Sequence, residues 1–164
     1  MYTDRSEAGR WLGRRLRRHR TQDAVVIAAR PGAVPIAYEV AVALDAPLEL
    51  AGRSPAAPLG GRTAIIVVEG VATGRTARAA CEAARARGAR RVVLAVPVGA
   101  PGAVDALRDA ADEVERPLTP CYFDAIGDYY LDDSPVTADE VTRLLDAARI
   151  TPSSRATAPR HAAI

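Results

Sequence analysis

The sequence contains no lysine: all 22 of its basic residues are arginine. Together with the heavy alanine content this reflects a GC-rich coding bias, and it has a chemical consequence. No Schiff-base lysine, lysine general base or lysine phosphate contact is available. Histidine is nearly missing too, with His19 at the end of a helical stretch and His161 in the tail, so neither reads as a ligand. The two cysteines, Cys81 and Cys121, lie far apart with no CxxC spacing and no nearby histidine pair. That argues against a metal site and a disulfide framework and for a reduced setting. A net charge of +2 is too small to single out a nucleic-acid partner. No apolar run reaches the length of a membrane span, and no signal-peptide pattern stands ahead of Tyr2. These absences predict a soluble, cytoplasmic protein with no membrane partner.

What is present fits one domain: 164 residues, 49% apolar and 26% charged, enough chain to bury a core without staples. Ser6 can cap a helix running to about His19, with Ala8, Trp11, Leu12 and Leu16 on one face and Arg10, Arg14, Arg17 and Arg18 on the other. A solvated basic face accounts for those arginines; phosphate or RNA contact is the other reading. The pattern then predicts strands at 24–29, 48–50, 63–68, 91–96 and 113–115 and helices at 34–44, 76–87, 104–111 and 137–148. Thr137 is the expected N-cap of the last helix, with Glu140 at the capping-box position. Residues 51–62 read as a loop rich in Pro, Gly and Ala, Gly88 as a helix stop, and 151–164 as a mobile tail. Apolar strands alternating with helices mean a single α/β domain over 1–150, with a Rossmann-like parallel sheet and helices on both faces.

The most informative stretch runs Ile65-Ile66-Val67-Val68-Glu69-Gly70-Val71-Ala72-Thr73-Gly74-Arg75-Thr76. It reads as a buried strand, an acidic residue at the strand's end, a small-residue loop and a helix start. Such a turn aims backbone N–H groups and two hydroxyls at a helix N-terminus, where the dipole favours an anion. Glu69 stands where a ribose hydroxyl can be held beside that anion. A plain strand-to-helix turn capped by Thr73 is the alternative. A second loop, Arg30-Pro31-Gly32-Ala33, also follows a strand, so both loops can face one crevice beyond the carboxyl ends of the sheet.

The Val68–Thr76 segment resembles the PRPP-binding signature of type I phosphoribosyltransferases. The resemblance continues through Asp4-Arg5 with Ala8-Gly9, Val34-Pro35-Ile36-Ala37-Tyr38-Glu39-Val40-Ala41, Arg91-Val92-Val93-Leu94-Ala95-Val96-Pro97 and Ile126-Gly127-Asp128-Tyr129-Tyr130. These segments stand in the family's order and cover most of residues 4–146. The resemblance implies that Ala72, Thr73, Gly74, Arg75 and Thr76 hold a 5′-phosphate, that Glu69 is the catalytic-site acid orienting the ribose, and that Arg30, Pro31, Gly32 and Ala33 meet a pyrophosphate. It implies PRPP or a nucleotide-like ligand, Mg²⁺ carried with it, transfer of phosphoribose to a base or other nucleophile, and a homodimer.

The same comparison exposes departures. The family ends its strand with two adjacent acids, whereas this chain has Val68 and Glu69. Pro31 removes an N–H donor from the first loop, and Ala33 adds a Cβ. Residues 51–62 leave no room for the family's catalytic-loop insert, so the hood is expected to be reduced or absent. A lid would then come from a partner subunit or from 121–134, whose Tyr122, Phe123, Tyr129 and Tyr130 either stack on a base or pack in the core. Asp132 and Asp133 read as solvated turn residues, with metal ligation the other possibility. The departures keep a second function open: a non-catalytic sugar-phosphate or nucleotide-binding regulatory module.

Overall fold

The computed structural model describes residues 1–150 apart from 22, 54, 55 and 57, so the expected tail at 151–164 lies outside the described residues. Among the described residues there are five strands: β1 (Ala24–Ala28), β2 (Leu48–Leu50), β3 (Thr63–Val67), β4 (Arg91–Ala95) and β5 (Glu113–Glu115). They form one fully parallel sheet in the order β2-β1-β3-β4-β5. The α-helices among the described residues are α1 (Arg5–Arg15), α2 (Val34–Leu44), α3 (Arg75–Ala86), α4 (Pro101–Asp105) and α5 (Ala138–Ile150).

The central strands are continuous runs of β-branched residues and alanine because both faces are covered. Alternation by two assigns each side chain to a layer. Val26, Ala28, Ile65, Val67, Val93 and Ala95 share one buried cluster with α1, α2 and α5. Val25, Ile27, Ala64, Ile66, Val92 and Leu94 share the other with Ala77, Cys81 and Ala84 of α3 and with Val104 and Leu107. On the first face α1 and α2 approach closely through two glycines. A Cβ at Gly9 would lie 2.5 Å from the Ile36 carbonyl oxygen, and one at Gly13 would lie 2.7 Å from the Ala43 Cβ.

Several expectations change in detail. The N-cap of α1 is Asp4, whose Oδ1 accepts the Glu7 N–H at 2.7 Å, rather than Ser6. The α-helix ends at Arg15 and a 3₁₀ turn, Arg17–His19, completes the stretch. Trp11 is 44% exposed and carries the Arg14 guanidinium 5.3 Å from its ring centroid, because Gly9 and Gly13 occupy the face that meets α2. Arg18 is not wholly solvated: it pairs with Glu113 and Glu115 of the edge strand β5. The helix expected at 104–111 instead spans Pro101–Asp105, started by Pro101, and Leu107 and Ala110 follow in turns. The last helix keeps its expected N-cap: it begins at Ala138, and the Glu140 N–H donates to Thr137 Oγ1 at 3.1 Å.

Candidate functional site

The chain leaves β1 for β2 on one side and returns to β3 on the other, so the strand order reverses between β1 and β3. Ligands of open parallel sheets sit beyond the carboxyl ends of the strands at such a reversal. The loops after these two strands are residues 29–33 and 68–74, the two segments singled out by sequence. The structure brings them into contact: a Cβ built on Gly32 would fall 2.4 Å from Glu69 Oε2 and 2.6 Å from Oε1.

The second loop is tied at its base and open at its tip. The Val71 N–H donates to the Val98 carbonyl at 3.0 Å, and the Ala100 N–H donates to the Val71 carbonyl at 2.9 Å. Gly70 leaves room for Ile126, whose Cγ2 would lie 2.9 Å from a Cβ there. Beyond this anchor Ala72 and Thr73 are exposed. Gly74 takes a left-handed conformation (φ 85°) as the N-cap of α3, a turn suited to glycine. No side chain caps the helix, so Thr73 does not serve as the N-cap. Its Oγ1 instead receives the Arg75 N–H at 3.5 Å, the outer limit of a hydrogen bond. Among the described residues, the N–H groups of Ala72, Thr73, Gly74 and Thr76 have no acceptor within the protein. Arg75 is exposed at the same end. A tip of free N–H groups, two hydroxyls and a guanidinium on a helix of 12 residues has the chemistry of an anion cradle.

Glu69 is held from two directions. Its Oε1 accepts the Arg5 Nε–H at 2.8 Å, and its carbonyl accepts the Tyr130 hydroxyl at 2.7 Å. Arg5, the first residue of α1, also donates from Nη2 to Asp133 Oδ1 at 2.9 Å and from Nη1 to the Ser134 carbonyl at 3.0 Å. Its guanidinium lies 5.5 Å from the Tyr130 ring centroid. Burial alone would lower the Arg5 pKa; the hydrogen bond and charge of Glu69, with Asp133, outweigh it and hold the pKa above its ordinary value. Tyr130 is buried and packs on Tyr2 with ring centroids 5.7 Å apart. Burial raises both phenols, Tyr2 to about 12. The Tyr2 hydroxyl donates to the Pro97 carbonyl at 2.9 Å, and the Leu131 N–H donates to the Tyr2 carbonyl at 2.9 Å.

Residues 126–134 are thus strapped across the ends of β3 and β4 by the N-terminal segment of the same chain. This is a small cover in cis, where sequence left the source of a lid open. Of the four aromatic residues, Tyr130 belongs to the core. Phe123 and Tyr129 stack on each other at 5.5 Å, and Tyr122 is 78% exposed.

The first loop forms a 3₁₀ turn, Pro31–Ala33, with Pro31 at its start. Arg30 and Pro31 are exposed, while Gly32 lies half-buried against Glu69. The Ala33 Cβ belongs to the buried core, and its N–H donates to the Arg30 carbonyl at 3.0 Å. The part of this loop placed against Glu69 is therefore Gly32, with the exposed Arg30 two residues before it. Among the described residues no three His, Cys, Asp or Glu side chains are grouped to hold a metal. One oxygen each of the Glu69 and Asp133 carboxylates accepts from Arg5, and Asp132 Oδ1 accepts the Ser134 N–H at 2.9 Å in a local turn.

Sequence reasoning reached Glu69 and the 72–76 loop but assigned no role to Arg5, Asp133 or Gly32 in holding that acid. The signal was confined to Asp4-Arg5 standing among the resembling segments. A pair separated by 64 positions is set by sheet order, which local pattern does not encode.

No family model matches the chain. Two Mycobacterium tuberculosis proteins, from strains CDC 1551 and H37Rv and both named "Putative phosphoribosyl transferase", are 34% identical over 209 aligned positions that take in 90% of it. The chain spans about half the length of these curated relatives, 47%. Within the aligned stretch, 90% of 164 residues fills only about 148 of the 209 positions, so about 60 aligned positions of the relatives have no counterpart here. The crystal structure of TT1426 from Thermus thermophilus superposes with a TM-score of 0.79 at 28% identity, covering 88% of this chain and 97% of that one. Phosphoribosylpyrophosphate synthetase from Mycobacterium smegmatis superposes at 0.54 and 20% identity over 87% of this chain and 49% of its own, a likeness of fold alone. Among the described residues, no helix is long and apolar enough to cross a membrane. In sequence, nine-tenths of the chain is thus similar to proteins named "Putative phosphoribosyl transferase", and its fold is a five-stranded parallel α/β sheet that superposes on TT1426.

Proposed function

We propose that this chain binds PRPP or a related ribose 5-phosphate ligand in the crevice between residues 30–33 and 69–76 and transfers its phosphoribose to a base or other nucleophile. The observation that carries the proposal is the set of unpartnered N–H groups at Ala72, Thr73, Gly74 and Thr76, placed at the strand-order reversal and at the head of α3. A 5′-phosphate there would receive backbone and hydroxyl donors, with Arg75 adding charge. The ribose would extend toward Glu69, and the group leaving C1′ toward Arg30 and Gly32. In the transfer the C1′–oxygen bond to pyrophosphate breaks, pyrophosphate departs with the bonding electron pair, and the nucleophile forms the new bond to C1′. The chain's contribution is to hold phosphate and sugar in one orientation and to cover the ends of β3 and β4 with residues 126–134.

The test is calorimetry of the purified chain with PRPP, with and without Mg²⁺, followed by an assay of pyrophosphate release across a panel of acceptors. Saturable binding with acceptor-dependent release of pyrophosphate is the expected result. Binding without release would make the chain a sensor of such ligands, and no binding of any phosphorylated sugar would refute the proposal.

A further inference from the structure

The geometry points to Arg5 as a positioning residue for sugar recognition, one that fixes Glu69 and closes residues 126–134 over it. This inference rests on the phosphoribosyl reading and names a residue that the reading itself does not use.

Arg5 makes three hydrogen bonds to two separate parts of the chain from a single guanidinium. Nε–H meets Glu69 Oε1 at 2.8 Å, Nη2 meets Asp133 Oδ1 at 2.9 Å, and Nη1 meets the Ser134 carbonyl at 3.0 Å. The planar fork suits this bridging, which a lysine ammonium would reproduce only in part. The Arg5 side chain is 13% exposed and that of Glu69 28%, so the pair is shielded enough for its geometry to be held. Glu69 keeps one oxygen, Oε2, without a protein partner among the described residues, and that oxygen lies against Gly32 at the mouth of the first loop.

The consequence follows from the missing acid. Where two carboxylates share a diol, neither needs a fixed rotamer, because one compensates for the other. With Val68 in place of the first acid, a single Glu69 carboxylate carries the contact, and a freely rotating one would lose orientation entropy on binding. Arg5 removes that freedom by taking Oε1 and leaving Oε2 unpaired beside Gly32 of the first loop. Tyr130 fixes the same residue at its backbone, its hydroxyl donating to the Glu69 carbonyl. Asp133 and Ser134, on the segment that follows, complete the tie. The sugar-facing acid and the cover over it are therefore one unit, joined at Arg5.

A ligand pair separates this role from general stability. Inorganic phosphate reports the 72–76 cradle alone, and ribose 5-phosphate reports cradle and sugar contacts together. Wild type, Arg5→Ala, Arg5→Lys, Glu69→Gln and Arg5→Ala/Glu69→Gln, each shown to be folded by its thermal transition, are titrated with both ligands by calorimetry. All five proteins are expected to bind phosphate alike. Ribose 5-phosphate affinity is expected to fall about tenfold in Arg5→Ala and in Glu69→Gln, no further in the double variant, and to recover partly in Arg5→Lys. Unchanged ribose 5-phosphate affinity in Arg5→Ala, or additive losses in the double variant, would overturn the role of Arg5 while leaving the phosphate site standing. Equal binding of the two ligands by wild type would overturn it as well, since no sugar contact would then exist. If wild type binds neither ligand, the phosphoribosyl reading itself fails, and this inference with it.

Discussion

Replacing Gly32 with alanine tests the contact between the two loops through the sign of the stability change. The Gly32 backbone does not sit in the left-handed region, so an alanine is conformationally admissible and by itself would stabilise the chain by about 0.4–1 kcal/mol through the unfolded state. The new methyl, however, would stand 2.4 Å from Glu69 Oε2 and 2.5 Å from its Cδ. Relief requires the carboxylate to withdraw by about 1 Å to reach ordinary van der Waals separation. Glu69 is not free to move that far, because Oε1 is held at 2.8 Å by Arg5 and its carbonyl by Tyr130. Breaking the charge-assisted hydrogen bond costs about 1.5–3 kcal/mol, which solvent access to the 28% exposed side chain reduces to about 1–2 kcal/mol. The clash outweighs the backbone term, and Gly32→Ala is expected to destabilise by about 1 kcal/mol, a fall of about 2–4 °C in Tm for a chain of this size. In a Glu69→Ala background the carboxylate is gone and the same substitution should become stabilising. Urea and thermal unfolding of the four proteins measure this cycle. Equal stabilisation by Gly32→Ala in both backgrounds would show that the loops do not meet as described.

Thr73→Ala combined with Thr76→Ala should weaken ribose 5-phosphate binding about tenfold by removing two hydroxyl donors while leaving the backbone cradle; unchanged affinity by calorimetry would remove these hydroxyls from the site. Cys81 is fully buried and burial pushes its thiol up to about 11, whereas Cys121 is exposed. One thiol should therefore react with a disulfide reagent at neutral pH in the native state and two after unfolding; two fast thiols in the native protein would contradict the buried α3–sheet contact. The Asp112 carboxylate accepts the Val92 N–H at 2.8 Å and pairs with Arg85, and these hold its pKa below the ordinary 3.8. A depressed folded value gives stability that is present above the unfolded pKa and is lost as pH falls through the folded one. Asp112→Asn should thus cost on the order of 0.5 kcal/mol near neutral pH, kept small by solvent screening of an exposed group, and the two proteins should converge in urea titrations as pH falls below the ordinary carboxylate value of 3.8. A constant difference across that range would mean that the charge is not what stabilises this corner.

Most of the scaffold was readable because its strands are buried on both faces and therefore appear as unbroken apolar runs. Ala24–Ala28 and Thr63–Val67 are of this kind, and α2 (Val34–Leu44) was readable from end to end. Reading failed where two local solutions of similar energy compete. Asp4 and Ser6 are both good caps, and reach to the Glu7 N–H selects Asp4. Trp11 has the spacing of a core residue, but the close α1–α2 contact at Gly9 and Gly13 leaves it outside. At the site, the strand-loop-helix order of 65–76 pointed to the phosphate end and Glu69. The grip on Glu69 was invisible because Arg5 and Tyr130 lie 64 and 61 positions away, and both meet it only after the sheet has ordered β1, β3 and β4. Sequence named 121–134 as one of two sources of a lid but did not choose between them, because the segment has almost no regular structure and its position is set by pairing with Tyr2 and Thr3.

The central claim, that the tip of the 69–76 loop is an anion cradle for a phosphorylated ribose, is tested most directly by following backbone amide resonances of isotopically labelled protein during titration with ribose 5-phosphate. Saturable shifts centred on the amides of Ala72, Thr73, Gly74 and Thr76, with smaller shifts at Gly32 and Glu69, are the predicted result. Shifts that leave these four amides unmoved while the ligand binds elsewhere, or no saturable shift at any concentration, would contradict it.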